Sequence, residues 1–283
     1  SGNRLMIERF IREEFEYFEP MSERARRATE TIRANWRNET VSARSERISL
    51  ETYDACGGVV KYGPFQGLRL NRETWWGKSD LGAQCLGLYE KEILDAIGRQ
   101  QKGKYQTFID IGAADGYYAI GMLSAGIVDH VISFEISEAG RAAISENWAS
   151  NGNPGSITLY GEANHASIEL IPSHVLNNAL VLIDIEGHEF ELLTQEVIKQ
   201  LQFSEIIIEI HNWIDDFETR YAQLLRDLAE YFNIEKLEPI ERNTANFSEL
   251  RSYTDDNRLL LVSERRPCLM RFLKLTPLKI RNE

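Results

Sequence analysis

The densest polar run in the chain is Asp184-Ile185-Glu186-Gly187-His188-Glu189-Phe190-Glu191, and it closes an apolar stretch whose pattern predicts a strand from Leu180 to Ile185. Alternation along such a strand points Asp184 and Glu186 to one side and Ile185 to the other. Carboxylates beside an imidazole can accept a proton from a hydroxyl, a task that favours a base whose pKa is near the working pH. Asp184, Glu186 and His188 are therefore catalytic candidates, and His211 joins them from a second outcrop, Glu209-Ile210-His211-Asn212-Trp213. A first helical turn would explain His188 and Glu189 equally well, because acids there meet the positive end of the helix dipole. Asp184, Glu209 and His211, with Asn212 beside them, offer oxygen and nitrogen ligands of the kind that hold Mg²⁺, Ca²⁺ or Mn²⁺. A plain hydrogen-bonded pair also satisfies the spacing of Glu209 and His211, so a metal set and a polar pair both remain open.

A second constellation lies earlier, in Phe108-Ile109-Asp110-Ile111-Gly112-Ala113-Ala114-Asp115-Gly116-Tyr117-Tyr118. An acid sits near the strand end and two glycines follow in a turn, where the missing Cβ lets backbone approach a ligand closely. The glycines do not spell GxGxxG. Ala114 stands where a further glycine would admit a pyrophosphate, so a phosphate-free ligand fits better than a dinucleotide. The next strand ends in Ser133-Phe134-Glu135, and an acid about that far downstream can accept hydrogen bonds from ribose hydroxyls. Glycine turn and strand-end acid together indicate a nucleoside. The competing reading of Asp110 is a helix cap, and that of Glu135 a surface acid.

These residues need a scaffold that brings several strand ends together. After Gln106, apolar runs alternate with helical segments, and the pattern predicts strands over Thr107 to Ile111, His130 to Glu135, Ser156 to Tyr160, Leu180 to Ile185, Glu205 to Ile210, Ile234 to Pro239 and Arg258 to Val262. Runs such as Val181-Leu182-Ile183 and Ile206-Ile207-Ile208 are apolar on both faces, as central parallel strands covered by helices must be. The expected fold is α/β, a doubly wound, Rossmann-like, mostly parallel seven-stranded sheet with an antiparallel last strand. The last two strands are expected to close one edge as a hairpin around the loop 241–257. Three segments are expected: a helical extension over 1–55, a small β accessory with a linking helix over 56–104, and the sheet domain over 105–283. In the extension, Ile7, Phe10, Ile11 and Phe18 recur at helical spacing, Pro20 interrupts, and Ala28, Ile32 and Trp36 mark a second helix. In the accessory, the runs around Val59-Val60 and Leu68-Arg69 read as short strands between glycine turns, and Ile93, Leu94 and Ile97 as a helix ended by Gly98.

With 283 residues, 43% hydrophobic and 27% charged, the chain is long enough for a large core and excludes disordered and fibrous classes. No apolar run approaches the roughly 18 residues of a membrane span, and the start shows no export signal, so the cytoplasm is the expected compartment. Cys56, Cys85 and Cys268 are too far apart and too few for a disulfide framework or zinc knuckle. A net charge of −12 disfavours a nucleic-acid partner. The arginines Arg24, Arg26, Arg27, Arg33 and Arg37 interleave with glutamates as on a solvated helix face. Trp75, Trp76 and Trp213, each beside polar residues, suit a glycan or polyhydroxylated small molecule, though large aromatics also serve as core anchors.

The sequence resembles the class I S-adenosylmethionine-dependent methyltransferases and, among them, the FkbM-type group. The resemblance rests on 109–118, on Phe134-Glu135 with Glu146 to Gly152, on Leu182 to Glu189, and on Ile207 to His211, and spans about 105–262. It implies S-adenosylmethionine as donor, with its methionine end over the Gly112 to Gly116 turn, its ribose on Glu135 and its adenine near Ile136 and Glu162-Ala163-Asn164. The residues so implicated are Asp110, Gly112, Ala113, Asp115, Gly116, Glu135, Ile136, Ala163 and Asp184. At residue 115 the chain has Asp where the family more often has an uncharged residue. The expected reaction is O-methylation of a sugar or natural-product hydroxyl, with a divalent cation a further option and the N-terminal helices a route to a homo-oligomer. An NAD-dependent oxidoreductase and a non-catalytic binding module on the same fold are the alternatives.

Overall fold

Branched apolar runs form the strands β1 (Thr107–Ile111), β2 (His130–Phe134), β3 (Ser156–Tyr160), β4 (Ala179–Ile183), β5 (Glu205–Ile210), β6 (Phe232–Leu237) and β7 (Arg271–Pro277). In the computed structural model, which describes residues 2–18, 30–98 and 103–279, they make one seven-stranded sheet of order β3-β2-β1-β4-β5-β7-β6. Neighbours from β3 through β5 are parallel, and β7 runs antiparallel between β5 and β6. The sheet is doubly wound and Rossmann-like, as the pattern of strands and helices predicts.

Strands β1 and β4 are buried along their whole length, and their residues alternate between two cores. Phe108, Leu180, Leu182 and Ile207 enter one core with the helix Tyr117–Ser124, the helix Lys91–Gly98 and Phe65 of the accessory segment. Ile109, Ile111, Val181, Ile183, Ile206 and Ile208 enter the other, with the helices Gln195–Gln200 and Phe217–Ala229. Burying both faces of a strand stabilises it by about 1.5–3 kcal/mol per large apolar side chain, which fixes β1 and β4 as the rigid centre. The chain leaves β1 towards β2 and β3 and returns to β4 on the other side. The β1–β4 boundary is therefore the switch point, where a crevice opens beyond the carboxyl ends of the strands.

Two expectations fail. Arg258 to Val262 is the second half of a helix, Asp255–Val262, rather than the last strand. Thr254 precedes it, two acids occupy its first turn, and only Asn257 and Leu261, four apart, are buried, so a helical stripe was hidden in an apolar run. The last strand is instead β7, which pairs antiparallel with β6 at one sheet edge as expected, across a connection longer than the loop 241–257. The accessory region holds a single bridge, Val59 to Arg69, in place of strands. Gly57, Gly58, Gly63 and Gly67 all have φ between 64° and 97°, which turns the chain too often for a ladder to extend.

The extension contains the helices Gly2–Tyr17, Glu30–Arg37 and Val41–Ala55. The break expected at Pro20, and Arg24, Arg26 and Arg27 with it, lie outside the described residues. Helix Gly2–Tyr17 buries no residue, whereas Val41–Ala55 sends Ile48 into a small third core with Cys85, Leu86, Leu250 and Leu261. All three cysteines are free, and no described helix is long and apolar enough to cross a membrane.

Candidate active site

A cavity of about 840 Å³ occupies the crevice beyond β1 and β4, and it is lined by the glycine turn, by Glu135, by the polar ends of β4 and β5 and by residues 68–90 of the accessory segment. The turn is left-handed at three places, with φ of 90° at Gly112, 49° at Ala114 and 84° at Gly116. A Cβ on Gly112 would lie 1.9 Å from the carbonyl oxygen of Asp184, so only glycine lets the β1 turn lie against the end of β4. Ala114 tolerates its conformation because its N–H donates to Glu135 Oε1 at 3.1 Å.

Glu135 is only 9% exposed, and its other oxygen accepts the Ser137 N–H at 2.8 Å. Its carboxylate is thereby held against the cavity with lone pairs to spare. Asp110, 2% exposed on β1, has an Oδ2 with no hydrogen-bond partner. Burial, and then the charge of Glu135, pushes its pKa up to about 7. Ile136, exposed, and Ala163 line the cavity beyond Glu135. Asp115 is engaged elsewhere: its carboxylate accepts the Trp75 N–H at 2.6 Å and the Trp76 N–H at 2.9 Å, tying the loop 71–77 across the mouth. Burial still raises its pKa against these two bonds. Trp75, Trp76 and Trp213 are 38%, 52% and 48% exposed and all line the cavity, so they are rim residues rather than core anchors.

The polar ends of β4 and β5 meet around His211, which is 1% exposed. Buried Glu189 orients it: Oε1 accepts the His211 backbone N–H at 2.8 Å and lies 3.0 Å from Nδ1, while Oε2 accepts the Gly187 N–H at 2.9 Å. With Nδ1 donating to Glu189, Nε2 turns to three other carboxylates, 3.4 Å from Asp184 Oδ1, 3.7 Å from Glu186 Oε2 and 3.9 Å from Glu209 Oε2. Burial works to lower the His211 pKa, but the bond to Glu189 and the charges of Glu189, Glu209 and Glu186 leave it raised. Burial, then Glu209 and Glu90, drives Asp184 well above the ordinary carboxylate range. Glu186 is raised mainly by burial, although His211 opposes this.

Asp184 and Glu186 do share a side, as alternation predicts, but by a turn rather than a strand: β4 stops at Ile183 and Glu186 is left-handed, at φ 53°. His188 stays at the rim, exposed, with Nδ1 3.4 Å from Glu191. Asn212 is exposed outside the cavity and its Oδ1 accepts from Cys268 Sγ.

Sequence reasoning missed Glu90, Arg266 and the clamping role of Glu189. Glu90 is 3% exposed at φ 45°, accepts the Tyr118 hydroxyl at 2.8 Å and lies 3.1 Å from Arg266, which also reaches Glu209 at 3.1 Å. Burial and Glu209 push its pKa up to about 8. The one local signal was an acid inside the otherwise apolar Leu86-Gly87-Leu88-Tyr89 neighbourhood.

No family model matches the chain, and no curated protein matches it. Among solved structures, ribosomal protein L11 methylase from Lactobacillus delbrueckii subsp. bulgaricus is 18% identical, with 66% of this chain and 77% of that one covered at a TM-score of 0.41. Precorrin 8w decarboxylase from Methanobacterium thermoautotrophicum is 18% identical over 62% of this chain and 82% of that one, at 0.38. An O-methyltransferase family protein from Burkholderia thailandensis is 11% identical over 70% of this chain and 58% of that one, at 0.41.

Proposed function

We propose that the chain is a methyltransferase that uses S-adenosylmethionine and methylates an oxygen of a sugar or other polyhydroxylated small molecule. The observation that carries this reading is the pairing, in one cavity, of a backbone-held acid at the end of β2 with a glycine turn pressed against β4. That pair suits a ribose and a phosphate-free tail. The buried, partnerless oxygen of Asp110 suits a donor with a positive charge. Ala114, which puts a methyl group where a pyrophosphate would need room, argues against a dinucleotide.

When bound, the donor supplies an electrophilic methyl group on a sulfonium. The chain's own residues do the rest. Glu135 would accept hydrogen bonds from the ribose hydroxyls. Asp184, Glu186 and His211 gather proton-accepting atoms at the far end of the cavity, so a hydroxyl placed there can lose its proton to them as its oxygen takes the methyl. The loop tied to Asp115 restricts the mouth and limits water. Trp213, whose ring is 4.9 Å from that of His211, offers a flat face to a sugar beside the cluster.

Calorimetric titration tests the reading. The chain is expected to bind S-adenosylmethionine and its demethylated product at one site, to ignore NADH, and to lose at least tenfold in affinity on Glu135→Ala, which removes charge-assisted hydrogen bonds worth about 1.5–3 kcal/mol. Absence of binding by the wild type, or unchanged affinity in the variant, overturns it.

A further inference from the structure

We infer that the helix Gly2–Tyr17 is a homodimer seam, which pairs antiparallel with the same helix of a second copy of this chain. The inference stands apart from the methyl-transfer reading and uses none of its residues.

The residue pattern builds the face. At about 100° per residue, Ile7, Phe10, Ile11, Phe15 and Phe18 fall within an arc of about 140°. Phe18 extends the last turn, its N–H donating to the Glu14 carbonyl at 2.9 Å. A stripe of that width on a helix of a folded protein faces a core, and the helix Phe217–Ala229 obeys this by burying Leu224 and Leu228. Gly2–Tyr17 buries no residue, and Phe10, Phe15 and Phe18 are 55%, 77% and 60% exposed. A helix of this length is marginal in water without tertiary contacts. The stripe therefore needs a cover that the described residues of its own chain do not supply.

Charge names the cover. Arg4 and Glu14 interrupt the stripe, one on each side of its midline. On the opposite face Arg9 and Glu13 satisfy each other at 2.7 Å, whereas among the described residues Arg4 and Glu14 make no ion pair. When two copies cross about a two-fold axis at the height of Arg9, Ile7 meets Ile11 of the second copy and the two Phe10 rings meet beside the axis. Arg4 meets Glu14 of the second copy at both ends, because the two lie equally far from the axis, about 7.5 Å along the helix in opposite directions. In parallel register each charge would face its like, which is costly in a seam. A membrane surface fits less well: the helix sets three arginines against four glutamates, and Glu14 would have to enter the apolar layer with the stripe. With 16 residues the helix is about 24 Å long, a short seam, so the dimer is expected to dissociate in the micromolar range.

Sedimentation equilibrium of the whole chain between about 1 and 200 µM tests the inference. A monomer–dimer equilibrium with a dissociation constant on the order of 10 µM is expected. Phe10→Glu, which sets like charges beside the axis, is expected to weaken association at least tenfold. It should leave the thermal midpoint unchanged, because Phe10 belongs to no core of the chain. Arg4→Glu and Glu14→Arg are each expected to weaken association several-fold and the double reversal to restore it, a rescue that neither a parallel pair nor an indiscriminately adhesive face would show. A chain that stays monomeric at 200 µM, a dimer indifferent to Phe10→Glu, or a double reversal no tighter than the single variants overturns the inference. Flotation of a monomeric chain with phosphatidylcholine vesicles overturns it in favour of a lipid surface.

Discussion

Asp110 shows how a single buried group sets a pH dependence. Its pKa stands at about 7 in the fold against an ordinary 3.8, so between those values the folded state holds a proton that the unfolded chain has released. Stability from this group is fully present below about pH 4 and fades as pH rises through 7; with roughly 1.4 kcal/mol per unit it amounts to a few kcal/mol at most. Glu90, Asp184 and Glu186 are raised too and act with the same sign. Thermal unfolding without ligand should therefore show a midpoint that falls from pH 5 to pH 8. Asp110→Asn is expected to flatten part of that slope, and an unchanged slope would refute the assignment. Glu135 and Glu189 make the complementary point. Each is a buried carboxylate whose oxygens are taken up by backbone amides, and each presents something else as a result: Glu135 its remaining lone pairs, Glu189 a correctly turned His211.

Among the elements, the loop 71–77 lines the cavity through Asn71 and Thr74 to Gly77. Its hold on the sheet domain includes two hydrogen bonds, from the Trp75 and Trp76 amides to Asp115, together with the approach of Trp75 to Gly140 and Glu135, where a Cβ on Gly140 would meet both side chains. Asp115→Ala removes both bonds, at about 1 kcal/mol each or more because the acceptor is charged. Amide exchange of residues 74–77 is expected to quicken by at least tenfold, with donor affinity reduced several-fold and the global unfolding midpoint little changed. Exchange no faster than in the wild type would show that the loop is held by the tryptophan side chains instead. Asp115 thus has a structural use: its carboxylate holds the loop 71–77 against the sheet domain.

At the scale of the molecule, a chain of net charge −12 has a cavity whose lining includes Asp110, Glu135, Asp184, Glu186 and Glu209, with Arg69, Arg265 and Arg266 beside them. An excess of acids there favours a cationic ligand over a neutral one. The charged donor should accordingly lose more affinity than its neutral demethylated product when sodium chloride rises from 50 to 500 mM, as the Debye length contracts from about 14 Å to 4 Å. Equal loss for the two ligands, by calorimetry, would show that the cavity field plays no part in binding.

How much of this was legible beforehand follows from the range over which each feature is encoded. Periodicity and composition report burial, so strands apolar on both faces, such as β4 and β5, and the glycine turn between Asp110 and Tyr117 could be read directly, as could the acids at their ends. The same rule misled at Arg258 to Val262, where three consecutive leucines on a helix imitate a strand and the true partner of β5 lay further on, in a run that mixes Arg271, Lys274 and apolar residues. Nothing local marks Glu189 as the partner of His211, 22 residues away, or Glu90 as the partner of Arg266, 176 away. Sequence alone determined the layered sheet and which strand ends carry acids, because those depend on each residue's own polarity. The tertiary structure decided which acids face the cavity, which orient a neighbour and which hold the lid, because a carboxylate's role is set by the donors that reach it across the fold.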